Sequence, residues 1–435
     1  MRGLKMKHFG TGGIRGDAKI FTKNFCRQLS VAISRLNYKK VMVGIDTRGS
    51  GVKISKWLIK GLIKHGMDAL LVGVISTPAL VYLTQKHKCL GVMITASHNV
   101  HSDNGVKVVC RGHKISERQQ NIIEKALNDV VTTNTSKGKL IVAKHLLNEY
   151  YCYASKQVIK TKYKVAIDLS NGATCATAPA LFRGTTDNLV IVANKPNGEN
   201  INDNCGSTHI ENLCNVVTTN ACDVGFAFDG DGDRCIAVSG SGKVVDGDML
   251  AYIIANYLYN KGALTDKKVA FSIMSNLGVV KALSKRGIEV IQVPVGDIYI
   301  YEAIKKHKLK VGGEESGHII IPPITYTGDG VITALYVLKI MYETNCKLDE
   351  LIQDILVYPQ KLTNIKVADK EKVLADAELQ RIVYEIKQKL SDEGKIIIRK
   401  SGTEDVVRVF VQAKSQALVD KYSKLLVEKV KQIQI

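Results

Sequence analysis

The sequence predicts an α/β protein built from three similar modules with mixed, largely parallel sheets, followed by a smaller α+β domain. Three observations carry that expectation. The chain has 435 residues, beyond the roughly 250–300 at which a single hydrophobic core stops growing. A strand–helix–strand pattern recurs three times at domain scale. After about residue 357 the pattern gives way to strands alternating with amphipathic helices.

Each repeat opens with a basic residue and a short apolar strand ending in a turn: KVMVGID (40–46), KVAIDLSNG (164–172) and KVAFSIMSNLG (268–278). A second strand follows, in ALLVGVISTP (69–78), LVIVANKPNG (189–198) and EVIQVPVGD (289–297). The third lies in GVMITASHN (91–99), DVGFAFDGDGD (223–233) and KVGGEESGH (310–318). Between first and second strands stand segments with helical apolar spacing, such as ISKWLIKGLIKHG (54–66) and VVKALSKRG (279–287). Connections of that length imply right-handed crossovers and largely parallel pairing. In every module the unusual residues stand just past the third strand, where open α/β sheets bind their ligands. The last part reads as a helical stretch to Leu390, the strands KIIIRKSGTE and VVRVFVQAK, and a terminal helix whose 3.6-residue apolar spacing marks a packed face.

Composition narrows the function classes. A net charge of +20 raises nucleic-acid binding, but the lysines are spread along the chain without an arginine-rich block or interleaved aromatics. A diffuse positive field that attracts small anions fits better. Ten cysteines without a CxxC pair read as reduced thiols. The N-terminal MRGLKMKHFGTGG has no apolar signal core, and no run of about 18 apolar residues could span a membrane. We therefore expect a cytoplasmic protein with neither nucleic-acid nor membrane partner; the sequence assigns no oligomeric state.

Four loops carry chemistry. In TASHNVHSDNGVK (95–107), Ser97 is either a nucleophile leaving a strand or a turn serine capping the next helix. In FDGDGDRCIAV (228–238), glycines at 230 and 232 let Asp229, Asp231 and Asp233 converge, which calls for a hard cation such as Mg²⁺, Ca²⁺ or Mn²⁺. An EF-hand is excluded, because its sixth and twelfth positions hold Arg234 and Gly240. An aspartate nucleophile of the haloacid-dehalogenase type remains a rival. GGEESGH (312–318) offers groups that hydrogen-bond a polyol, with His318 as an acid/base or simply a satisfied histidine after a turn. RKSGTEDVVR (399–408) offers Arg399, Ser401, Gly402 and Thr403 as an anion nest, or an ordinary hairpin turn, without the spacing of a Walker loop.

In this order, and with FGTGGIRG (9–16) ahead of them, these loops resemble the α-D-phosphohexomutase superfamily along nearly the whole chain. PNGENINDNCGSTHIENL (196–213), AFDGDGDRCIAV (227–238) and GGEESGHIIIPPITYTGDG (312–330) look most like the bacterial phosphoglucosamine mutases. The resemblance implies four domains around a central cleft: a phosphoserine-loop domain (1–146), a metal-binding domain (147–243), a sugar-binding domain (244–356) and a phosphate-binding domain (357–435). It implies interconversion of glucosamine 6-phosphate and glucosamine 1-phosphate through a phosphoserine and a bisphosphorylated sugar, feeding UDP-N-acetylglucosamine and cell-envelope precursor synthesis. The alternative is a phosphomannomutase/phosphoglucomutase of the same superfamily.

The resemblance also implies roles. Ser97 would carry a covalent phosphate, and Asp229, Asp231 and Asp233 would hold Mg²⁺ together with a phosphoserine oxygen. Lys107 would be the general base; Arg15, Arg234 and His318 would line the reacting end. Glu314 and Ser316 would grip sugar hydroxyls, while Arg399, Ser401, Gly402, Thr403 and Arg408 would bind the phosphate that is not reacting. A hexosamine phosphate would be the substrate and a bisphosphorylated sugar the activator. Four positions depart from the family pattern: Gly12 for the usual Asp, Val100 and Asp405 for the usual Pro, and Ile298 where the family reads VGDRY.

Overall fold

Residues 41–45 are buried without interruption, the mark of a strand covered on both faces by crossover helices. In this computed structural model, residues 13–127, 137–322, 324–325, 327–401 and 405–433 are described. The chain divides into two compact units, Met1–Ile273 with Ile291–Ile352, and Met274–Val290 with Gln353–Ile435.

The first unit holds three sheets. The strands of the first are β1 (Ile14–Asp17), β2 (Lys40–Ile45), β3 (Asp68–Val74), β4 (Leu90–Ile94), β5 (Asp103–Cys110), β6 (His113–Lys114) and β7 (Leu140–Val142). Their order is β1-β5-β4-β2-β3-β7, with β6 beside β5. The helices Lys23–Ser34 and Gly49–Lys64 place Leu29, Ile33, Leu58 and Leu62 against Val41 and Val43 of β2 in one core. The second sheet contains β8 (Val165–Asp168), β9 (Leu189–Val192), β10 (Val224–Phe228), β11 (Cys235–Ser239) and β12 (Val244–Val245), ordered β12-β11-β10-β8-β9. The third contains β13 (Lys268–Ser272), β14 (Glu289–Val293), β15 (Gly312–Gly313) and β16 (Ile319–Ile320), ordered β14-β13-β15-β16.

One topology underlies all three. The first strand of each repeat lies between the second and the third, and a fourth strand returns antiparallel beside the third: β5 on β4, β11 on β10 and β16 on β15. The first-to-third pairs are parallel. The loops at residues 95–102, 229–234 and 314–318 are therefore equivalent, each linking third strand to fourth. The fourth strands escape the sequence pattern because each follows its motif loop so closely that loop and strand read as one polar-to-apolar run.

In the second unit β17 (Gln360–Lys366), β18 (Gly394–Lys400) and β19 (Val406–Ala413) form an antiparallel sheet ordered β17-β19-β18. The helices Ala377–Leu390 and Gln416–Gln432 pack in its core; Val419, Tyr422, Leu426 and Val430 recur at helical spacing and are buried. The helix Leu277–Lys285, which connects β13 to β14, groups with this unit: Leu277 N–H donates to Gln412 Oε1 at 2.8 Å, and Asn276 exchanges hydrogen bonds with the Tyr358 backbone at 3.0 and 3.1 Å. No helix among the described residues is long and apolar enough to cross a membrane.

Candidate active site

The three equivalent loops of the first unit bring Ser97, the three aspartates and His318 together. Ser97 follows β4, is 2% exposed and has φ +55°. Its N–H donates to Thr95 Oγ1 at 2.8 Å, and its hydroxyl donates to Asp229 Oδ2 at 2.6 Å. His98 Nδ1 lies 3.4 Å from Ser97 Oγ. Burial, with Arg234 and Arg15 beside it, brings the His98 imidazole down to about 3, so it is neutral.

The glycines of the aspartate loop are sterically required. A Cβ on Gly230 would stand 2.7 Å from Ser97 O and 2.7 Å from Ile201 Cδ1, so only glycine lets the two loops approach this closely. Asp229, Asp231 and Asp233 are buried, each offering an oxygen within 4.8 Å of the others. Asp231 Oδ2 accepts from the Thr77 hydroxyl and from Lys107 Nζ at 2.6 Å; Asp233 Oδ2 accepts from Lys107 at 3.1 Å. Asp231 Oδ1 and Asp233 Oδ1 are buried without a hydrogen bond to any described residue. Leaving such oxygens dry and unpaired is costly, and a divalent cation is what would satisfy them. The donor set, all oxygen, fits magnesium.

The electrostatics divide the three carboxyls. Burial, then the charges of Asp233 and Asp231, push Asp229 well above the carboxylate range. Asp231 and Asp233 are held below it despite burial, chiefly through Lys107 and, at Asp233, also His318. At Lys107 burial, together with Arg15, works against the charge, but Asp231 and Asp233 more than offset both and keep its pKa raised.

The remaining predicted residues of this unit surround the cluster. Arg234 donates its backbone N–H to Asp229 Oδ1 at 3.2 Å, and its Nε stands 3.9 Å from Asp233 Oδ1. Exposed Arg15 lies on β1 opposite Gly105, with Nη1 3.4 Å from Asn99 Oδ1. His318 is buried; its Nε2 accepts the Gly328 N–H at 3.0 Å, which places the ring proton on Nδ1, 3.9 Å from Asp233 Oδ1. Glu314 Oε1 accepts the Gly296 N–H at 2.9 Å, tying the sugar loop to the segment that carries Ile298, while Ser316 is half-buried. Ile298 lines a pocket with Lys107, Lys114, Asp297, Tyr301 and His318.

The second unit carries the described residues expected of the anion nest. Arg399 of β18 and Arg408 of β19 are directly opposite in register, a like-charge pairing that antiparallel strands disfavour. Burial, followed by Arg408, lowers the Arg399 pKa, and Arg399 Nε is buried without a hydrogen bond to a described residue. An anion between the two guanidinium groups would remove both penalties. Ser401 is buried beside them in the chain. Gly402 and Thr403, like Gly12, lie outside the described residues.

Sequence reasoning missed Thr77, Arg48 and Asn202, all in contact with these loops. Thr77 begins the helix Thr77–Lys86, and its N–H donates to Asp231 O at 2.8 Å as its hydroxyl meets Asp231 Oδ2. The signal available was the STP signature of a capped helix start in 76–78, which shows a helix but not what faces it.

Comparison with known proteins matches this architecture piece by piece. Family models of the phosphoglucomutase/phosphomannomutase alpha/beta/alpha domains I, II and III match residues 6–133, 143–242 and 246–358, and that of the C-terminal domain matches 362–429. The phosphoglucosamine mutase of Anoxybacillus flavithermus is 41% identical over 438 residues, 96% of each chain. That of Bacillus subtilis is 38% identical over 445 residues, 98% of each. Among solved structures, a phosphoglucomutase/phosphomannomutase family protein from Burkholderia thailandensis superposes with a TM-score of 0.81 at 20% identity, covering 98% of this chain and 97% of its own. Aspergillus fumigatus N-acetylphosphoglucosamine mutase, solved with GlcNAc-6P and magnesium, gives 0.72 at 17% identity, covering 98% and 96%. Matched in order by four domain models and along its length by relatives of this identity, the chain belongs to the phosphoglucomutase/phosphomannomutase family and, within it, to the phosphoglucosamine mutases.

Proposed function

We propose that this chain is an isomerase interconverting glucosamine 6-phosphate and glucosamine 1-phosphate in the cytosol, with Ser97 carrying the transferred phosphoryl group. The observation that carries the reading is the Ser97 hydroxyl set 2.6 Å from Asp229 Oδ2, inside a buried cluster of three carboxylates. Asp229, Asp231 and Asp233, with an oxygen of the Ser97 phosphate, would hold magnesium. Bound there, magnesium supplies Lewis-acid stabilisation of charge on the phosphoryl oxygens.

Three carboxylates and a phosphoryl dianion, set against one divalent ion and Lys107, Arg234 and Arg15, come to a net charge of about zero. The same cations suit the charge that spreads over the equatorial oxygens during in-line transfer. In that step a sugar hydroxyl oxygen bonds to phosphorus, and the bond to Ser97 Oγ breaks with its electron pair left on Oγ. Lys107, held protonated by Asp231 and Asp233, is the group we assign to the relay of the proton: it gives one to the leaving Ser97 Oγ and takes that of the sugar hydroxyl, ending the transfer charged as it began. His318, held by Gly328 and facing Asp233, lines the reacting end. Glu314 and Ser316 take sugar hydroxyls.

A bisphosphorylated intermediate must then present its other end. Arg399, Ser401, Gly402, Thr403 and Arg408 are assigned to whichever phosphate is not reacting, an arrangement that favours donors tolerant of both orientations. The same bisphosphate class would load Ser97 at the start. We take the four functional segments to be 1–146, 147–243, 244–356 and 357–435.

The test is a side-by-side assay of glucosamine, mannose and glucose phosphates with Mg²⁺ and a bisphosphate primer, joined to intact-mass analysis. The expected result is preference for glucosamine phosphate and an adduct of about 80 Da on Ser97, the mass of one phosphoryl group. The Ser97→Ala protein should fold, lack the adduct and lose essentially all turnover. Equal or better use of mannose or glucose phosphates would overturn the substrate, and an acyl phosphate on Asp229 would overturn the carrier.

A further inference from the structure

Ser97 sits at φ +55°, a left-handed conformation that residues with a Cβ avoid. Such a residue persists only where its surroundings over-determine it. The surroundings here are two side chains that grip the backbone of the serine loop. Arg48 Nη2 donates to Ser97 O at 2.8 Å and to Asn99 O at 2.8 Å. Its Nη1 donates to Val100 O and, at 3.0 Å, to Asp103 O, and its Nε donates to Asp46 Oδ2 at 2.9 Å. Those five contacts use all the N–H donors a guanidinium has. Asn202, reaching across from the second module, donates from Nδ2 to the same two carbonyls, Ser97 O at 2.9 Å and Asn99 O at 3.0 Å.

We propose that Arg48 and Asn202 are positioning residues that clasp the 97–103 loop from two modules and hold Ser97 in the one orientation that aims its Oγ at the aspartate cluster. The proposal rests on Ser97 being the phosphoryl carrier. Arg48 and Asp46 form an ion pair with no side-chain exposure. Burying such a pair is a poor source of stability, and the four remaining guanidinium bonds all go to this loop. The network closes on the serine itself: Asp46 also bonds the Thr95 hydroxyl, which accepts the Ser97 N–H at 2.8 Å. Gly230 leaves room for the clasp, since a Cβ there would stand 2.9 Å from Asn202 Nδ2. None of these contacts is to Asp229, Asp231, Asp233 or the sugar loop, so the clasp acts on the geometry of transfer and not on substrate capture. A carrier loaded and unloaded in every cycle must return to the same in-line geometry each time, and lysine, with three donors on a flexible stem, cannot replace the planar fork.

The test uses the full-length enzyme with Arg48→Lys and Asn202→Ala, each loaded by a bisphosphorylated sugar and compared per phosphorylated serine by intact mass. Misplacing the carrier by about 1 Å should lower kcat per phosphoserine on the order of a hundredfold. KM for glucosamine 6-phosphate should stay within about threefold, because ground-state binding is untouched. A purely structural role would reduce the folded or phosphorylated fraction and leave kcat per phosphoserine at the wild-type value, which would overturn the proposal. Should Arg48→Lys fail to fold, Asn202→Ala decides alone, having no buried charge to orphan. A wild-type protein that takes no phosphate on Ser97 would instead sink the functional reading, a result the same mass spectrum separates from failure of the clasp.

Discussion

Replacing Asp329 by asparagine changes one proton and leaves the shape of the site intact. Asp329 is buried at the start of the helix Gly330–Thr344, where Oδ1 accepts the Ile332 N–H at 3.0 Å and Oδ2 accepts the Tyr150 hydroxyl at 2.8 Å. It directly follows Gly328, whose N–H holds His318. Burial outweighs these hydrogen bonds and pushes the carboxyl up to about 6. An aspartate free in the unfolded chain titrates near 3.9, so the upward displacement corresponds to about 3 kcal/mol. The sign follows from proton binding. The folded state binds the proton more tightly, so this group's contribution is fully present below about pH 4 and is lost as pH rises through about 6.

The side chain introduced by Asp329→Asn does not titrate, and asparagine caps a helix about as well as aspartate. The stability of this variant relative to wild type should therefore rise by about 2 kcal/mol between pH 4 and pH 7. Urea unfolding at a series of pH values, followed by the fluorescence of Trp57, the sole tryptophan and part of the first unit, reads this directly. Parallel stability–pH curves for the two proteins would refute the reasoning, because they would mean that the buried carboxyl does not hold its proton.

Two further outcomes test the site. Arg399→Met should raise KM for the sugar phosphate roughly tenfold to a hundredfold, the worth of a charge-assisted bond to an anion; steady-state kinetics checks this. Calorimetry should show the second unit as stable as before or more so, since a like-charge cross-strand pair is gone. Gly230→Ala must push a Cβ against Ser97 O at 2.7 Å. That overpacking should cost about 1–3 kcal/mol and weaken Mg²⁺ binding in a calorimetric titration, and unchanged affinity would count against the close approach of the two loops.

Much of this was legible in the sequence because it is encoded locally. The recurrence of KVMVGID, KVAIDLSNG and KVAFSIMSNLG marks the first strand of each repeat, and runs of consecutive apolar residues mark strands buried on both faces. The carboxylates of DGDGDR announce a cation site through their own repulsion, within five residues of chain. What the sequence by itself determined is thus the set of modules, the loops that carry chemistry and the residue types in them.

Only the tertiary structure decided what those loops touch. Arg48 meets carbonyls from Ser97 to Asp103, Asn202 comes from more than a hundred residues away, and Thr77 reaches Asp231 across a gap of 154. In the sequence Arg48 stands just past the first strand and Thr77 at the end of the second-strand segment, and no periodicity reports a partner so distant. The connection from β13 to β14 reads as an ordinary crossover of the third repeat, yet its helix groups with the second unit through Gln412 and Tyr358. The charge state of Lys107 rests on the same convergence: burial and two carboxylates oppose each other, and only their distances decide which prevails. Local patterning chooses the elements because hydrogen bonding and side-chain period act over a few residues. The site depends on convergence, and convergence is a property of the packed chain.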